Sequence, residues 1–369
     1  MTWLLVALLP YMAIFLVLWL RLQQDVRKVS GERQKLCQGE KFLSVIIPLK
    51  NEAANIHNLV KDLAVQSLDH RYFEIIFVDD ASTDSTLDIL SSSDDILCDL
   101  KILQSGGVGK KKSIALGIEQ AIGEYIVTTD GDCRVRENWL SEIYNCVIDC
   151  DADMIIGAVD ITGTGSFLKC FIQLEFLALQ AVTEVFARNG NPVMCNGANL
   201  CFRNPGAENY SEMVRENITS GDDIFLMESY RRQGKSFIWL DSPSSIVKTI
   251  VPARLSTLIK QRIRWASKSP FYAQTSLILL AVLVFLTNLA MVATFIVSFF
   301  FPGLWTIFLA MFIIKSIPDL FLLSLMARKR SKTRMLQCFI PAQLLYPFYV
   351  FITGMAGIIT GLFFSQQGK

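Results

Sequence analysis

Two aspartates stand one residue apart after a β-branched run in the stretch GEYIVTTDGDCRV, residues 123–135. Asp130 and Asp132 could form an ordinary turn at the end of a strand, or they could hold a divalent cation. Carboxylate oxygens are hard ligands, and Gly131 permits a close approach of the backbone. Mg²⁺ or Mn²⁺, bound through one or two carboxylates and substrate phosphates, would suit this pair. The motif is short, so its position in the fold must decide between the two interpretations.

A second acidic pair follows another apolar run. Asp79 and Asp80 begin the sequence DDASTD. Asp and Ser are favoured in helix-capping turns, and a carboxylate can also accept hydrogen bonds from the N–H groups of a ligand such as a nucleobase. The spacing favours these two interpretations equally.

Three consecutive lysines, Lys110, Lys111 and Lys112, open a helix after a glycine-rich turn. A helix N-terminus favours anions, and lysines add positive charge suited to phosphate. The spacing does not match the P-loop pattern. We expect at least one of the three to be a solvated surface residue.

Two weaker signals lie further along the chain. Asp222 and Asp223 begin an amphipathic helix, where acidic residues stabilise the first turn, and Asp223 could instead take a proton from a hydroxyl as a general base. The segment QRIRWASKS, residues 261–269, is basic and amphipathic. It is also typical of a helix at a membrane surface with Trp265 as an anchor.

A repeating pattern of apolar strand, turn and helix must position these residues. It predicts strands within 42–48, at Phe73–Val78, at 100–104 and within 124–130, with a helix after each of the first three. Strands that are continuously apolar indicate a parallel sheet with both faces covered. Ligands bind at the carboxyl ends of such strands, and both acidic pairs fall there.

Composition places the chain at a membrane. Of its 369 residues 52% are hydrophobic, which is too many for a purely soluble enzyme. The formal net charge is +1, so no overall field favours a nucleic-acid partner. The nine cysteines form no C-x-x-C unit, which favours reduced thiols over a disulfide framework or a zinc site.

Four apolar segments are long enough to cross a bilayer, namely Trp3–Leu20, Ser276–Phe301, Leu304–Met326 and Phe339–Phe364. Basic clusters follow the first segment, precede the second and separate the last two, and such clusters stay on the cytoplasmic side. The clusters therefore predict both termini outside and residues 21–275 inside. Lys315 and Asp319 lie within the third segment, where a structural ion pair and a functional site are equally favoured.

The predicted organisation has four parts. They are an uncleaved transmembrane anchor at 1–22, a cytoplasmic catalytic domain at 40–250, an interfacial segment at 251–275 and three transmembrane helices at 276–366.

The order of these motifs resembles the family-two glycosyltransferases, which are inverting enzymes that use nucleotide-diphospho sugars. It resembles in particular their membrane-embedded branch, which includes cellulose, chitin, hyaluronan and poly-N-acetylglucosamine synthases. The resemblance covers roughly residues 42–270 and rests on PLKNE, VDDASTD, GKKK, DGD, GANLCFR, SGDD and QRIRW. It implies a Rossmann-like, mainly parallel α/β fold with one N-terminal and about three C-terminal transmembrane helices.

The resemblance also implies roles by position. The nucleotide sugar would be bound by Glu52, Asp80, Lys110, Asp130, Gln261 and Arg264. Asp132 would ligand Mg²⁺ or Mn²⁺, Asp223 would be the catalytic base, and the acceptor would be contacted by Asn199 and Trp265. The chain departs from the family at Asp222, because the acidic motif is usually Glu-Asp.

The implied function is transfer of a sugar from a nucleotide-diphospho sugar, with a UDP-sugar favoured, to a hydroxyl of a lipid-linked or polysaccharide acceptor. The reaction would take place at the cytoplasmic leaflet of the inner cell membrane. Two alternatives are a processive polysaccharide synthase with a partner for export and a non-catalytic membrane scaffold with a degenerate transferase domain. The acidic motifs are all present, and four spans are fewer than the large processive synthases usually have, so limited transfer is favoured.

Overall fold

A computed structural model of the chain describes residues 5–24, 43–92, 100–215, 221–251, 254–267 and 274–367. The chain divides into two compact units. The α/β unit comprises Val26–Thr162 and Phe186–Ile250, and the helical unit comprises Met1–Asp25, Gly163–Val185 and Val251–Lys369. The predicted catalytic domain at 40–250 thus encloses a segment, Gly163–Val185, that groups with the helical unit.

The described part of the α/β unit contains nine short strands. They are β1 (Leu43–Leu49), β2 (Phe73–Asp79), β3 (Leu100–Gln104), β4 (Tyr125–Thr128), β5 (Met154–Gly157), β6 (Val159–Thr162), β7 (Leu200–Arg203), β8 (Phe237–Leu240) and β9 (Val247–Ile250). Seven of them form one sheet in the order β3-β2-β1-β4-β7-β5-β8, and β6 pairs with β9 in a second sheet. The four predicted strands, β1 to β4, are mutually parallel, which confirms the mainly parallel sheet. Strand β7 runs antiparallel to both of its neighbours.

Helices cover the sheet and explain its apolar strands. Helices at Ile56–Ala64, Thr86–Ser91 and Lys110–Glu119 follow the first three strands, as predicted. Further helices lie at Trp139–Cys150, Ala207–Met213 and Asp222–Arg232. Val45, Ile46 and Ile47 in β1 are all 0% exposed, because consecutive residues of a strand point to opposite faces and both faces are covered.

Strand register brings the ends of the strands together. Leu49, the last residue of β1, pairs with Asp79, the last residue of β2. Asp79 in turn pairs with Gln104 at the end of β3. On the other side of β1, Thr128 at the end of β4 pairs with Ile46. The carboxyl ends of these strands therefore form one edge, where the predicted ligand site lies.

The helical unit contains the apolar helices. Its helices are Leu9–Gln23, most of Phe167–Arg188, Leu255–Ala266, Thr275–Ser298, Leu304–Lys329 and Phe339–Gln367. Among the described residues, four helices are long and apolar enough to cross a membrane: Phe167–Arg188, Thr275–Ser298, Leu304–Lys329 and Thr333–Thr360. The last three correspond to the three predicted C-terminal segments.

Two apolar helices of the helical unit differ from the prediction. The helix that corresponds to the N-terminal segment, Leu9–Gln23, has 15 residues, which is short for a bilayer, and Trp3 lies outside the described residues. Phe167–Arg188 has 22 residues, and 72% of its most apolar window is buried, against 28% for Thr275–Ser298. Gln173, Glu175, Gln180 and Glu184 interrupt the apolar pattern of this helix in the sequence, and its burial favours a helix covered by protein.

Lys315 and Asp319 form a buried ion pair in the helical unit, 2.7 Å apart. Asp319 also accepts hydrogen bonds from the Tyr11 hydroxyl at 2.7 Å and the Gln343 amide at 2.8 Å. Lys315 donates a second bond to Gln343 Oε1 at 3.0 Å. Because every charge has partners, the structure favours the structural interpretation, in which the pair ties three helices together.

Candidate active site

A cleft opens at the edge formed by the carboxyl ends of β1, β2 and β4 in the α/β unit. Its volume is about 310 Å³. It is lined by Pro48, Leu49, Lys50, Glu52, Asp80, Lys110, Asp130, Gly131 and Asp132. Half of the positions that the resemblance assigned to a site meet here.

Three donors hold the carboxylate of Asp80 at the wall of the cleft. Oδ1 accepts hydrogen bonds from the Gly109 N–H and the Ser105 hydroxyl, both at 2.9 Å. Oδ2 accepts one from the Lys50 ammonium at 3.1 Å. Burial raises the pKa of Asp80, but these three bonds outweigh burial and hold the pKa below its usual range. Asp80 is therefore a negative charge at neutral pH.

Asp79 has the turn-forming role that the sequence DDASTD also allows. It is 1% exposed, and its Oδ2 accepts a hydrogen bond from the Ser82 N–H at 3.1 Å. Asp84 caps the same turn by accepting bonds from the N–H groups of Thr86 and Ala53, each at 3.1 Å. The turn interpretation therefore applies to Asp79, whereas Asp80 lines the cleft.

Asp130 and Asp132 lie against the residues that end β1, and Gly131 makes this approach possible. A Cβ atom at Gly131 would lie 2.5 Å from Leu49 Cδ2 and 2.8 Å from Glu52 Cγ. Both distances are far below van der Waals contact. Glycine is thus required for a steric reason at the centre of the Asp-Gly-Asp motif.

The carboxylates around the cleft repel one another. Burial raises the pKa of Asp132, and repulsion from Asp130 adds to this effect. Burial also raises the pKa of Glu52. Repulsion from Asp132 and Asp130 raises this pKa further, whereas a hydrogen bond from Asn55 lowers it. A cation bound between these groups would relieve the repulsion.

The donor set fits a divalent cation shared with a diphosphate. In the part of the chain that the structure describes, no three His, Cys, Asp or Glu side chains form a metal cage. Mg²⁺ and Mn²⁺ need no such cage, since one or two carboxylates suffice when substrate phosphates complete the coordination. Asp130 and Asp132 supply that number. The Thr249 hydroxyl donates a hydrogen bond to Asp132 Oδ2 at 3.2 Å and orients the carboxylate.

The three consecutive lysines have different surroundings. Lys110 lines the cleft. Lys111 is buried and donates hydrogen bonds to the backbone carbonyls of Val214 at 2.5 Å and Arg215 at 3.1 Å. Lys112 is exposed. One of the three is thus a solvated surface residue, as predicted, and one is a structural anchor.

Lys110 connects the cleft to the second acidic motif. Its Nζ lies 2.5 Å from Asp130 Oδ1. A Cβ atom at Gly197 would lie 3.8 Å from Lys110 Nζ and 3.7 Å from Asp223 Cβ, so these groups are neighbours. Partial loss of hydration lowers the pKa of Lys110, but attraction by Asp130, Asp222 and Asp223 outweighs it and raises the pKa above its usual range. Lys110 is therefore a permanent positive charge beside three carboxylates.

Asp223 lies in the first turn of the helix Asp222–Arg232. Its Oδ2 accepts a hydrogen bond from the Gly197 N–H at 3.2 Å, and its Oδ1 accepts one from the Ile224 N–H at 2.8 Å. Burial, followed by repulsion from Asp222, raises the pKa of Asp223. A carboxylate of raised pKa is more basic, which suits the abstraction of a hydroxyl proton.

Asn199 is part of the frame behind this site. It is 1% exposed, and its Nδ2 donates hydrogen bonds to the carbonyls of Ala158 at 2.8 Å and Ser245 at 2.9 Å. Its Oδ1 accepts a bond from the Trp139 indole at 3.0 Å. Both amide donors are thus used inside the protein, which differs from the expected position facing an acceptor.

Gln261, Arg264 and Trp265 lie on the helix Leu255–Ala266 in the helical unit. The Arg262 side chain contacts both Gln261 and Trp265. Arg264 is exposed.

The sequence analysis missed two residues, one that lines the cleft and one that contacts Asp132. Lys50 stands at the end of the first strand within PLKNE, and this position could have revealed it. Thr249 is 117 residues from Asp132 in the chain, so no local pattern could have revealed it. It reaches Asp132 because its neighbour Lys248 in β9 forms a backbone bridge with Arg134, two residues after Asp132.

Comparison with known proteins identifies the class. A model of glycosyl transferase family 2 matches residues 44–205, and a model of glycosyl transferase family group 2 matches residues 125–352. The second match covers more than half of the chain, and the chain belongs to this family.

Individual relatives agree with this family. The chain is 27% identical over 185 residues to glycosyltransferase AglE of Haloferax volcanii, covering 49% of this chain and 59% of the relative. It is 32% identical over 219 residues to an undecaprenyl-phosphate 4-deoxy-4-formamido-L-arabinose transferase of Pseudomonas savastanoi, covering 48% of this chain and 63% of the relative. The chain thus spans less than two thirds of either relative.

One solved structure resembles the chain over nearly its whole length. It is the mannosyltransferase PcManGT from Pyrobaculum calidifontis in complex with GDP-Man and Mn²⁺. The TM-score is 0.58 with 15% sequence identity, and the match covers 97% of this chain and 95% of PcManGT. The likeness shows the Rossmann-like α/β glycosyltransferase fold and thereby confirms the predicted fold class.

Proposed function

We propose that the protein is a membrane-bound, inverting glycosyltransferase. It transfers a sugar from a nucleotide-diphospho sugar to a hydroxyl of a lipid-linked or polysaccharide acceptor at the cytoplasmic leaflet of the inner membrane. The observation that carries the proposal is the cleft where Asp80, Lys110, Asp130 and Asp132 meet beside Asp223. The family and the four long apolar helices support it.

The cleft residues bind the donor. Asp80 and Glu52 contact the nucleoside, and Lys110 offsets the negative charge of the diphosphate. Asp132 holds Mg²⁺ or Mn²⁺, with Asp130 beside it on the nucleotide side. The metal, when bound, supplies positive charge that stabilises the departing diphosphate.

Asp223 is the catalytic base. It removes the proton of the acceptor hydroxyl while that oxygen forms a bond to the anomeric carbon of the sugar. The bond from the anomeric carbon to the diphosphate oxygen breaks in the same displacement, and the electron pair leaves with the nucleoside diphosphate. A single displacement inverts the configuration of the anomeric carbon.

The resemblance assigns the segment QRIRW to the same substrates. Gln261 and Arg264 contact the diphosphate, and Trp265 positions the acceptor. The donor is a UDP-sugar, and the protein belongs to the membrane-embedded branch that includes the polysaccharide synthases. Transfer is limited to one or a few sugars, and a processive product would need a partner for export.

A screen of nucleotide sugars tests this function. The purified full chain is incubated with UDP-, GDP-, dTDP- and CMP-sugars, a membrane lipid extract and Mg²⁺ or Mn²⁺, and release of nucleotide is measured. We expect nucleoside diphosphate to be released only when acceptor is present and metal is not chelated by EDTA. In a parallel reaction with a nucleoside triphosphate and a sugar 1-phosphate in place of the nucleotide sugar, release of pyrophosphate would indicate a nucleotidyltransferase. No turnover of any donor, with the protein folded, would favour the non-catalytic scaffold.

A further inference from the structure

Arg262 stands inside the segment QRIRW but is not one of the three residues to which the proposed function gives a role. Its Nη1 donates a hydrogen bond to Gln261 Oε1 at 3.1 Å. Its guanidinium carbon lies 4.1 Å from the centre of the Trp265 ring, which is a close cation–π contact. One side chain thus touches the first and the last residue of the motif.

A buried carboxylate fixes this guanidinium in turn. Arg262 Nε donates to Glu175 Oε1 at 2.8 Å, and Nη2 donates to Oε2 at 2.5 Å. The Arg262 and Glu175 side chains are 6% and 8% exposed, and the Tyr349 hydroxyl donates a further bond to Glu175 Oε1 at 3.1 Å. A bidentate pair has one geometry, so it determines where the guanidinium plane lies.

Arg264, the second arginine of the segment, differs from Arg262 in its burial and in its contacts. Arg264 is exposed. Within the described residues its side chain has no hydrogen bond or ion pair. Arg264 is therefore free to reach a ligand, whereas each of the three guanidinium nitrogens of Arg262 donates a hydrogen bond within the protein.

We propose that Arg262 is a positioning residue that presets the side chains of Gln261 and Trp265 for the donor and the acceptor. Glu175 is its outer support and Tyr349 supports Glu175, so two further helices of the helical unit, Phe167–Arg188 and Phe339–Gln367, contribute to the geometry of the motif. This inference rests on the proposed function, because it takes the roles of Gln261 and Trp265 from it.

Substitutions at Arg262 test this role in the purified full chain. Arg262→Met removes the charge and the contacts, and Arg262→Lys keeps the charge but loses the bidentate pair and the flat face that stacks on Trp265. Loss of a hydrogen bond to a charged group costs a free energy that corresponds to a rate loss of about 10- to 100-fold. We expect such a loss of kcat/KM for Arg262→Met and a smaller loss for Arg262→Lys. Lys260→Met, an exposed basic residue of the same helix, is the matched control and should keep wild-type kinetics.

A double-mutant cycle separates positioning from general stability. If Arg262 acts through the aromatic ring, Arg262→Met should lose much less activity in a Trp265→Leu background, which has no ring, than in the wild-type background. Equal losses in both backgrounds, or wild-type kcat/KM for Arg262→Met, would overturn the proposal. Where Arg262→Met does not fold, as judged by thermal unfolding, the same cycle is run with Arg262→Lys.

Transfer by the wild type and by Asp223→Asn is measured in parallel. These measurements separate failure of the proposed function from failure of the positioning role of Arg262. If the folded wild-type chain transfers no sugar, the proposed function itself fails, and if Asp223→Asn leaves transfer unchanged, only the assignment of the base fails. If Asp223→Asn abolishes transfer while Arg262→Met does not reduce it, the positioning role of Arg262 alone fails.

Discussion

Replacement of Gly131 by alanine tests how closely the aspartate pair must approach β1. The added carbon would lie 2.5 Å from Leu49 Cδ2 and 2.8 Å from Glu52 Cγ. Carbon atoms pack at about 3.5–4.0 Å, so each contact is short by roughly 1 Å. Leu49 is 1% exposed and belongs to β1, so the segment that carries Asp130 and Asp132 must yield instead.

The displacement should affect both stability and metal-dependent binding. Overpacking of this kind costs about 1–3 kcal/mol. Oxygen ligands of Mg²⁺ must stand at about 2.0–2.1 Å in near-ideal geometry, so a shift of this size removes at least one good ligand. We expect Gly131→Ala to weaken metal-dependent binding of the donor at least about tenfold, equivalent to about 1.4 kcal/mol.

The assay is donor binding by calorimetry, with Mn²⁺ and with EDTA, alongside thermal unfolding. Gly303→Ala is the matched control, because Gly303 has an ordinary φ of −61° and no atom within 4 Å of the added carbon. It should leave both measurements unchanged. If Gly131→Ala bound the donor with wild-type affinity and metal dependence, the steric explanation of the Asp-Gly-Asp motif would be wrong.

Three further outcomes follow from the same contacts. Burial and repulsion from Asp222 raise the pKa of Asp223, which must be ionised to act as a base, so activity should fall as the pH drops through that raised pKa. Asp222→Asn removes the repulsion and should move the acid limb of the kcat/KM profile to lower pH. Asp319→Asn leaves Lys315 buried without its counter-charge and should destabilise the helical unit by about 3–5 kcal/mol, whereas Asp319→Leu with Lys315→Met should restore the unfolding temperature. Thr249→Val removes the hydrogen bond to Asp132 and should weaken metal affinity about tenfold in a Mn²⁺ titration, while donor binding in EDTA stays unchanged.

Local patterns were sufficient to predict the strands near the cleft. A strand buried on both faces is continuously apolar, and β1, β2 and β4 follow this rule, whereas β3 at the edge of the sheet is only half-buried. Parallel strands then place their carboxyl ends at one edge, which is why residues as distant in the chain as Glu52 and Asp132 could be predicted to meet. The pattern could not assign different roles to Asp79 and Asp80. The two aspartates are adjacent in the chain, and they differ only in the direction in which each side chain points from the end of the strand.

Long-range contacts explain what the sequence did not reveal. The antiparallel direction of β7 depends on pairing with β4 and β5, which its four residues do not encode. Asn199 lies in a motif that resembles an acceptor segment, but its role as a buried support depends on Trp139 and Ser245. The helix Phe167–Arg188 was missed because Glu175 and Glu184 interrupt its apolar pattern, and both glutamates are neutralised by arginine or lysine from distant helices.

The rate of sugar transfer by Asp223→Asn, measured beside its affinity for the nucleotide, tests the central claim most directly. Loss of a general base typically costs about 10²- to 10⁴-fold in rate. The proposed mechanism predicts a loss of this size in nucleoside diphosphate release with acceptor present, while calorimetry shows nucleotide binding within about twofold of the wild type. Transfer at the wild-type rate by folded Asp223→Asn protein would contradict the assignment of Asp223 as the base.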